Sequence, residues 1–338
     1  MAELISGWQG IAGTAIVISI IISSIALGLG KAFSIKRLER FGIEEIIQSI
    51  INAAILGFAI GLCALVIQIG AEFTTSQMKN ITCLAIADND TNITVVLNTS
   101  EFTPPDYILC GINATINSSH ALAQNLIQIE NTLGYYQTLV LHFGNFSIQP
   151  LVNLDNISKQ LANSMYVIQL SMFASTLNAQ FLTFISSNWF ATIFATGLVL
   201  RSFFISRKFG AFLIGVSIAF IIFYPLMLMM FQLPIEQLNT NQNLTSTFLN
   251  NSVYQTVPIV DLNNNNEIAN KLYDLGFSDN NDFTGDLIVI TQRTTDTAAN
   301  LFFYSVIIPF FALIVVGVLI KEFSNSFAGE IAIEVSKI

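Results

Sequence analysis

The sequence predicts an all-α integral membrane protein with five transmembrane helices, the N-terminus outside and the C-terminus inside, carrying two polar exterior segments. Three observations carry that expectation. Of 338 residues, 53% are hydrophobic and only 10% charged, where a soluble domain carries about a quarter. The apolar residues fall in five runs free of internal charge, each near the length that crosses a bilayer. The charges and the Asn-X-Ser/Thr sequons segregate between the connecting segments, so the two ends of the helices are chemically distinct.

The first run, residues 10–30, is uncharged. Glu3 precedes it, and the cations Lys31, Lys36, Arg37 and Arg40 follow. A cleaved export signal has the opposite polarity, positive before its apolar core, so this run reads as a retained helix with its start outside. The second run, 46–70, holds only uncharged polar residues, Gln48, Ser49, Asn52 and Gln68. Gly57 and Gly61 give it a small-xxx-small spacing, which lets two helix backbones approach and marks a candidate packing seam. Residues 1–71 therefore form a hairpin of two spans around a cytoplasmic loop at 31–45.

Residues 72–186 change character, with Asn, Thr and Ser prominent. Sequons begin at Asn80, Asn89, Asn92, Asn98, Asn113, Asn117, Asn145 and Asn156, and two more at Asn243 and Asn250 in the polar segment 232–299. An Asn-rich segment makes single sequons by chance, but their confinement to two segments points to export and glycosylation there. Charge agrees: these segments hold four cations and fifteen acids, while 31–45, 201–208 and 321–338 hold the other nine cations and six acids. Cys83 and Cys110 share the first exterior segment and form the natural disulfide pair in an oxidising compartment, the alternative being two free thiols. Cys63 lies within the second span.

Within 72–186, residues 119–143 repeat apolar residues at Leu122, Leu126, Ile129, Leu133, Tyr136 and Leu139, close to helical spacing. Residues 161–185 are uncharged and nearly long enough to span. Counting them as a sixth span would turn the basic 201–208 loop outward against the positive-inside tendency. They read as an exterior helix that runs into or packs above the third span, its apolar face covered by 119–143 or by another subunit. Residues 93–97 look strand-like.

Residues 187–231 form the third and fourth spans, joined by a basic turn at 201–208 with Arg201, Arg207 and Lys208 and no acid. Those cations set topology or touch a partner or anionic headgroups. The second exterior segment, 232–299, reads as mixed, with a small β element at 286–291 (DLIVIT) after turn-rich residues. The alternation Asp261, Asn263, Asn265, Glu267 lacks the glycine and final glutamate of a calcium loop and reads as solvated loop. Residues 300–338 supply the fifth span, 301–320, and a cytoplasmic tail. Pro225 and Pro309 sit inside the fourth and fifth spans as candidate kinks.

No catalytic, cofactor or metal constellation is expected. The two histidines, His120 and His142, stand 22 residues apart, both on the helix expected over 119–143, and no HExxH, CxxC, GxSxG or phosphate-binding glycine loop occurs. The charge-free spans disfavour a solitary solute transporter.

One stretch carries a resemblance. Thr196-Gly-Leu-Val-Leu-Arg-Ser-Phe-Phe-Ile-Ser-Arg-Lys-Phe-Gly-Ala-Phe-Leu-Ile-Gly, with Phe223-Tyr-Pro-Leu after it and a looser match at 27–46, resembles archaeal polytopic membrane proteins. These are similar to the membrane channel subunits of Ced-type DNA-exchange and conjugation-like (type IV) secretion systems. The resemblance covers about a fifth of the chain. It implies a homo-oligomeric, non-enzymatic channel subunit of the cell membrane, served by a separate cytoplasmic ATPase, with Arg201, Arg207 and Lys208 placed for that partner. A structural or adhesive glycosylated envelope protein is the alternative, and a solute transporter the third. The acidic exterior argues against direct nucleic-acid binding there, because phosphates would be repelled.

Overall fold

The computed structural model describes residues 2–77, 104–143, 145–149, 151, 154–201, 206–231, 233–251, 254, 264–276 and 283–328. These are almost entirely helical. In chain order they form α1 (Ala2–Ala32), α2 (Lys36–Gln77), α3 (Pro104–Gln137), β1 (Leu141–Phe143), β2 (Phe146–Ile148), α4 (Leu154–Ser186), α5 (Asn188–Arg201), α6 (Arg207–Ile218), α7 (Tyr224–Met229), α8 (Ile235–Asn250), α9 (Asn265–Gly276), α10 (Phe283–Phe302) and α11 (Ile308–Ala328). Five-residue π turns join α6 to α7 (Ala219–Phe223) and α10 to α11 (Phe303–Ile307). The chain divides into two compact units: Met1–Leu109, Gln180–Phe231 and Phe310–Ile338 in one, and Cys110–Ala179 and Gln232–Pro309 in the other.

Among the described residues, four helical stretches are long and apolar enough to cross a membrane: Gly13–Ala32, Lys36–Leu62, Arg207–Met229 and Phe283–Phe327. A fifth exists if Leu154–Ser186 and Trp189–Arg201, bent by 44° to each other, act as one span. The bend explains the ambiguity of 161–185. Alone, α5 has 14 residues and reaches only about 21 Å at 1.5 Å per residue, short of a hydrocarbon core about 30 Å thick.

In the first unit, α1 and α2 close on each other through glycine. A Cβ on Gly30 would lie 2.6 Å from the Glu39 amide nitrogen, and one on Gly42 would lie 2.7 Å from that of Leu27. The turn between them is a Schellman cap: Ile35 N–H donates to Gly30 O at 2.9 Å and Ser34 N–H to Lys31 O at 3.3 Å. Ser34 takes the left-handed position, φ 55°, which glycine normally fills at lower cost. Gly57 and Gly61 behave differently, since a Cβ on either meets nothing within 4 Å. Among the described residues, the closest approaches belong to Gly30, Gly42, Gly197 and Gly210. Ile55, Ala59, Phe194, Leu198, Ile214, Ile218 and Ile222 form this unit's apolar core.

The second unit is built on α3. Leu122, Leu126, Ile129, Leu133 and Tyr136 recur at helical spacing and are fully buried, as the sequence pattern predicts. They pack with residues of α4, α8, α9 and α10. Tyr136, Phe248, Tyr254 and Phe283 form an aromatic group with centroid separations of 4.8–5.7 Å. The Tyr136 hydroxyl donates to Tyr254 O at 3.3 Å, and that of Tyr254 to Asp286 Oδ2 at 3.0 Å. Burial pushes the Tyr136 phenol up to about 12, with Tyr135 adding to the shift. Burial lowers Lys271, and nearby Asp274 opposes it.

Two expectations fail here. Residues 286–291 are helical, not a strand, and lie in α10. The DLIVIT run favours strand locally, but Leu287, Ile290, Thr291, Thr294, Ala298 and Leu301 are buried at three- and four-residue spacing, and that longer pattern wins. The small β element sits instead in the first polar segment, as the antiparallel β1–β2 pair with Leu141 opposite Ile148 and Phe143 opposite Phe146. His142 therefore lies on a strand, beyond the end of α3. The strand-like residues 93–97 lie outside the described residues.

Candidate functional site

The chemistry of the first unit gathers where its charged residues meet the helix ends. On α2, Glu45, Ser49 and Asn52 are spaced four and three residues apart and buried, and Ile55 and Ala59 continue the same face. One face thus turns from polar to apolar along its length.

Arg201, at the last residue of α5, is 3% exposed. Its Nε and Nη2 donate to the Phe327 carbonyl oxygen at 3.2 and 2.9 Å, and Nη1 donates to Asn52 Oδ1. Phe327 lies one residue from the end of α11, where helical carbonyls lack intrahelical donors and carry partial negative charge. A planar guanidinium can serve one oxygen with two N–H groups and reach another with a third, which an ammonium cannot reproduce. Beside it, Arg207 Nη2 pairs with Glu45 Oε1 at 2.6 Å. Ser49 Oγ donates to Glu45 O at 2.9 Å and lies 2.8 Å from Ser19 Oγ on α1. The group therefore ties α1, α2, α5, α6 and α11.

Glycine makes the approach possible. A Cβ on Gly210 would meet the Arg201 amide nitrogen and, at 2.5 Å, the Gly197 carbonyl oxygen. Gly197 in turn has Gly210 O and Ile214 N at 3.0 Å from its own hypothetical Cβ. The α5–α6 hairpin is therefore in backbone contact next to the buried arginine. Tyr224 and Pro225 follow the π turn, and Phe181 packs edge-on to Tyr224 at 5.1 Å.

Of the three basic residues singled out in the 201–208 turn, Arg201 and Arg207 face inward on partners of the same chain. Lys208 is exposed. Sequence reasoning passed over Glu45 as the anionic partner and gave Asn52 no role beyond an uncharged polar residue of the second span. The usable signal was the i, i+7 spacing of Glu45 and Asn52 at one end of an apolar helix. Cys110 is disulfide-bonded, while its expected partner Cys83 lies outside the described residues.

In the second unit, the sequon asparagines Asn113, Asn117, Asn145, Asn156, Asn243 and Asn250 are all exposed. Asn80, Asn89, Asn92 and Asn98 lie outside the described residues. Other polar residues there turn inward. Asn241 is buried, with Nδ2 donating to Thr294 Oγ1 at 3.2 Å and Thr297 Oγ1 at 3.4 Å. Asn125 donates to Thr245 Oγ1 at 3.0 Å, and Ser164 Oγ lies 3.0 Å from Thr295 Oγ1. Ser305 O would accept from residue 309 in an α-helix, but Pro309 has no N–H. Asn178 Nδ2 supplies the bond at 2.7 Å, and Ser175 Oγ lies 2.8 Å from Ser305 Oγ.

Asn265 donates to His142 O and accepts from His142 N–H at 3.1 Å, so its amide serves β1. Among the described residues, no group of three or more His, Cys, Asp or Glu comes together to hold a metal ion. No family model, curated protein or solved structure matches the chain.

Proposed function

We propose that this chain is a non-enzymatic, multi-pass subunit of an archaeal membrane conduit of the secretion or DNA-transfer type. It acts as a homo-oligomer in the cell membrane, with its N-terminus and glycosylated polar segments outside and its energy supplied by a separate cytoplasmic ATPase. The observation that carries this reading is the use of charge in the first unit. Arg201, Arg207, Glu45 and Asn52 bond to one another and to a helix end, and the core beyond them is apolar. A solitary transporter instead keeps polar groups near mid-membrane for its cargo. A passage assembled from several copies needs stiff subunits, and this cluster stiffens one. The residues that resemble the secretion subunits, Gly197, Arg201, Gly210 and Tyr224-Pro225, are those that build the hairpin. Native mass spectrometry and electron microscopy of the full chain extracted in mild detergent test the reading. Rings of one stoichiometry around an opening are expected; a uniform monomer without an opening overturns it.

A second reading, a glycosylated envelope protein that contacts a neighbouring cell or surface layer, draws on the exposure of all six described sequon asparagines. It expects intermolecular cross-links in intact cells to fall mainly on residues 110–179 and 232–309. The conduit expects them also on the membrane helices.

A further inference from the structure

We infer that the α1–α2 turn, residues 31–41, is a binding site for the phosphate headgroups of anionic lipid. The inference needs this hairpin to cross a bilayer, but does not depend on the conduit reading. The 20-residue apolar stretch Gly13–Ala32 ends at the turn and the 27-residue stretch Lys36–Leu62 begins there. Both therefore place it at the boundary between hydrocarbon and water.

Lys31, Lys36, Arg37 and Arg40 are all exposed there. None of the four takes part in an ion pair among the described residues. Of the acids on the same stretch, Glu45 is committed to Arg207, Glu39 is half-buried and Glu44 exposed. Between the cations stand Phe33, 70% exposed, Ile35, 49%, and Phe41, 43%. Large apolar groups at a membrane boundary enter the acyl edge while neighbouring cations reach headgroup phosphates. A soluble phosphate would have no use for the three apolar side chains, so lipid is the occupant that matches both halves of the patch.

The backbone supports the assignment. The Schellman cap and the left-handed Ser34 fix the turn between Phe33 and Ile35, and the Gly30 and Gly42 approaches clamp the two helix ends directly behind it. The patch is thus presented ready-made, whereas two of the three cations of the 201–208 turn are bonded inside the protein.

The test uses the full chain in nanodiscs of phosphatidylcholine with a minor share of phosphatidylglycerol. Spin-labelled versions of each lipid report the fraction held against the protein. A cation near an anionic surface is worth roughly a fivefold change in binding, so labelled phosphatidylglycerol should be favoured over phosphatidylcholine at least about fivefold. The combined variant Lys36→Gln, Arg37→Gln, Arg40→Gln should bring the two lipids to near equality. Arg37→Lys with Arg40→Lys should keep the preference, and Lys208→Gln with Lys321→Gln should lower it far less than the triple variant does. If the triple variant does not fold, raising ionic strength from about 0.1 to about 1 M shortens screening from about 10 to about 3 Å, and should erase the wild-type preference. Three results would overturn the inference: no preference in the wild type, a preference surviving both neutralisation and salt, or displacement by inorganic phosphate at constant ionic strength. The last would mean a site for free anions.

Discussion

Replacing Arg201 with alanine should destabilise the first unit by about 2–5 kcal/mol, since it leaves two neutral oxygens without their donor at about 1–3 kcal/mol each. The guanidinium makes three hydrogen bonds to two oxygens, Phe327 O and Asn52 Oδ1. Each bond to a charged group contributes about 1.5–3 kcal/mol, and bonds sharing one side chain do not add fully. Arg201→Lys retains the charge but loses the fork, so it should recover less than half of the loss. Asn52→Leu, an apolar side chain of similar size, should cost less than Arg201→Ala, and the double variant should show coupling of about 1–2 kcal/mol. Reversible unfolding of the full chain in mixed micelles, followed by fluorescence of Trp189 on α5, measures all four. A loss below about 1 kcal/mol for Arg201→Ala, the scale of a solvated surface pair, would refute the reasoning. Wild-type stability in Arg201→Lys would do the same.

Further outcomes are expected. Ser34→Gly should raise stability by about 0.5–1 kcal/mol in the same assay, since it relieves a left-handed backbone, whereas Ser34→Val should lower it. Gly210→Ala should cost several times that amount by forcing α5 from α6; Gly57→Ala, in open space, should be stabilising by about 0.5–1 kcal/mol, and loss of oligomer in that variant would reveal a seam between copies. Between pH 10 and 12 the unfolded chain ionises Tyr136 while the fold holds it neutral. Stability is therefore unaffected below 10 and falls above it by up to about 3 kcal/mol, a step that Tyr136→Phe should remove from alkaline unfolding curves. Asn178→Leu should leave Ser305 O without its donor and lower the melting midpoint, at a cost of about 1–2 kcal/mol, and combining it with Pro309→Ala should restore part of the loss.

Much of this was legible because apolar length and spacing are strong signals. The runs at 10–30, 46–70 and 209–231 fall on helices, and the Leu122–Tyr136 spacing marks the buried face of α3. The strand expected at 286–291 failed because a run of six residues speaks only for itself, while burial along α10 is set over twenty residues. The Arg201 contacts were illegible for a different reason: the partners lie 149 residues before and 126 after it, and nothing local names them. The Asn-Thr composition had two meanings, and sequons explain only the outward one. Asn241, Asn125 and Thr294 use the same chemistry to join helices from within. Both prolines were visible, but not that each would follow a π turn by two residues, nor that a side chain on α4 would replace a missing backbone donor.

The long reach of Arg201 has a consequence for how the chain is made. Synthesis at about 5–20 residues per second separates Arg201 from Phe327, 126 residues later, by roughly 6–25 seconds. Through that interval the guanidinium has emerged without the carbonyl that accepts two of its hydrogen bonds, while Asn52 has already been synthesised. Of the two oxygens that Arg201 serves, only that of Asn52 has been synthesised by then, so the group can close only when the last helix arrives. Truncation before residue 327 would leave that wait without an end, and the nascent hairpin exposed to quality control.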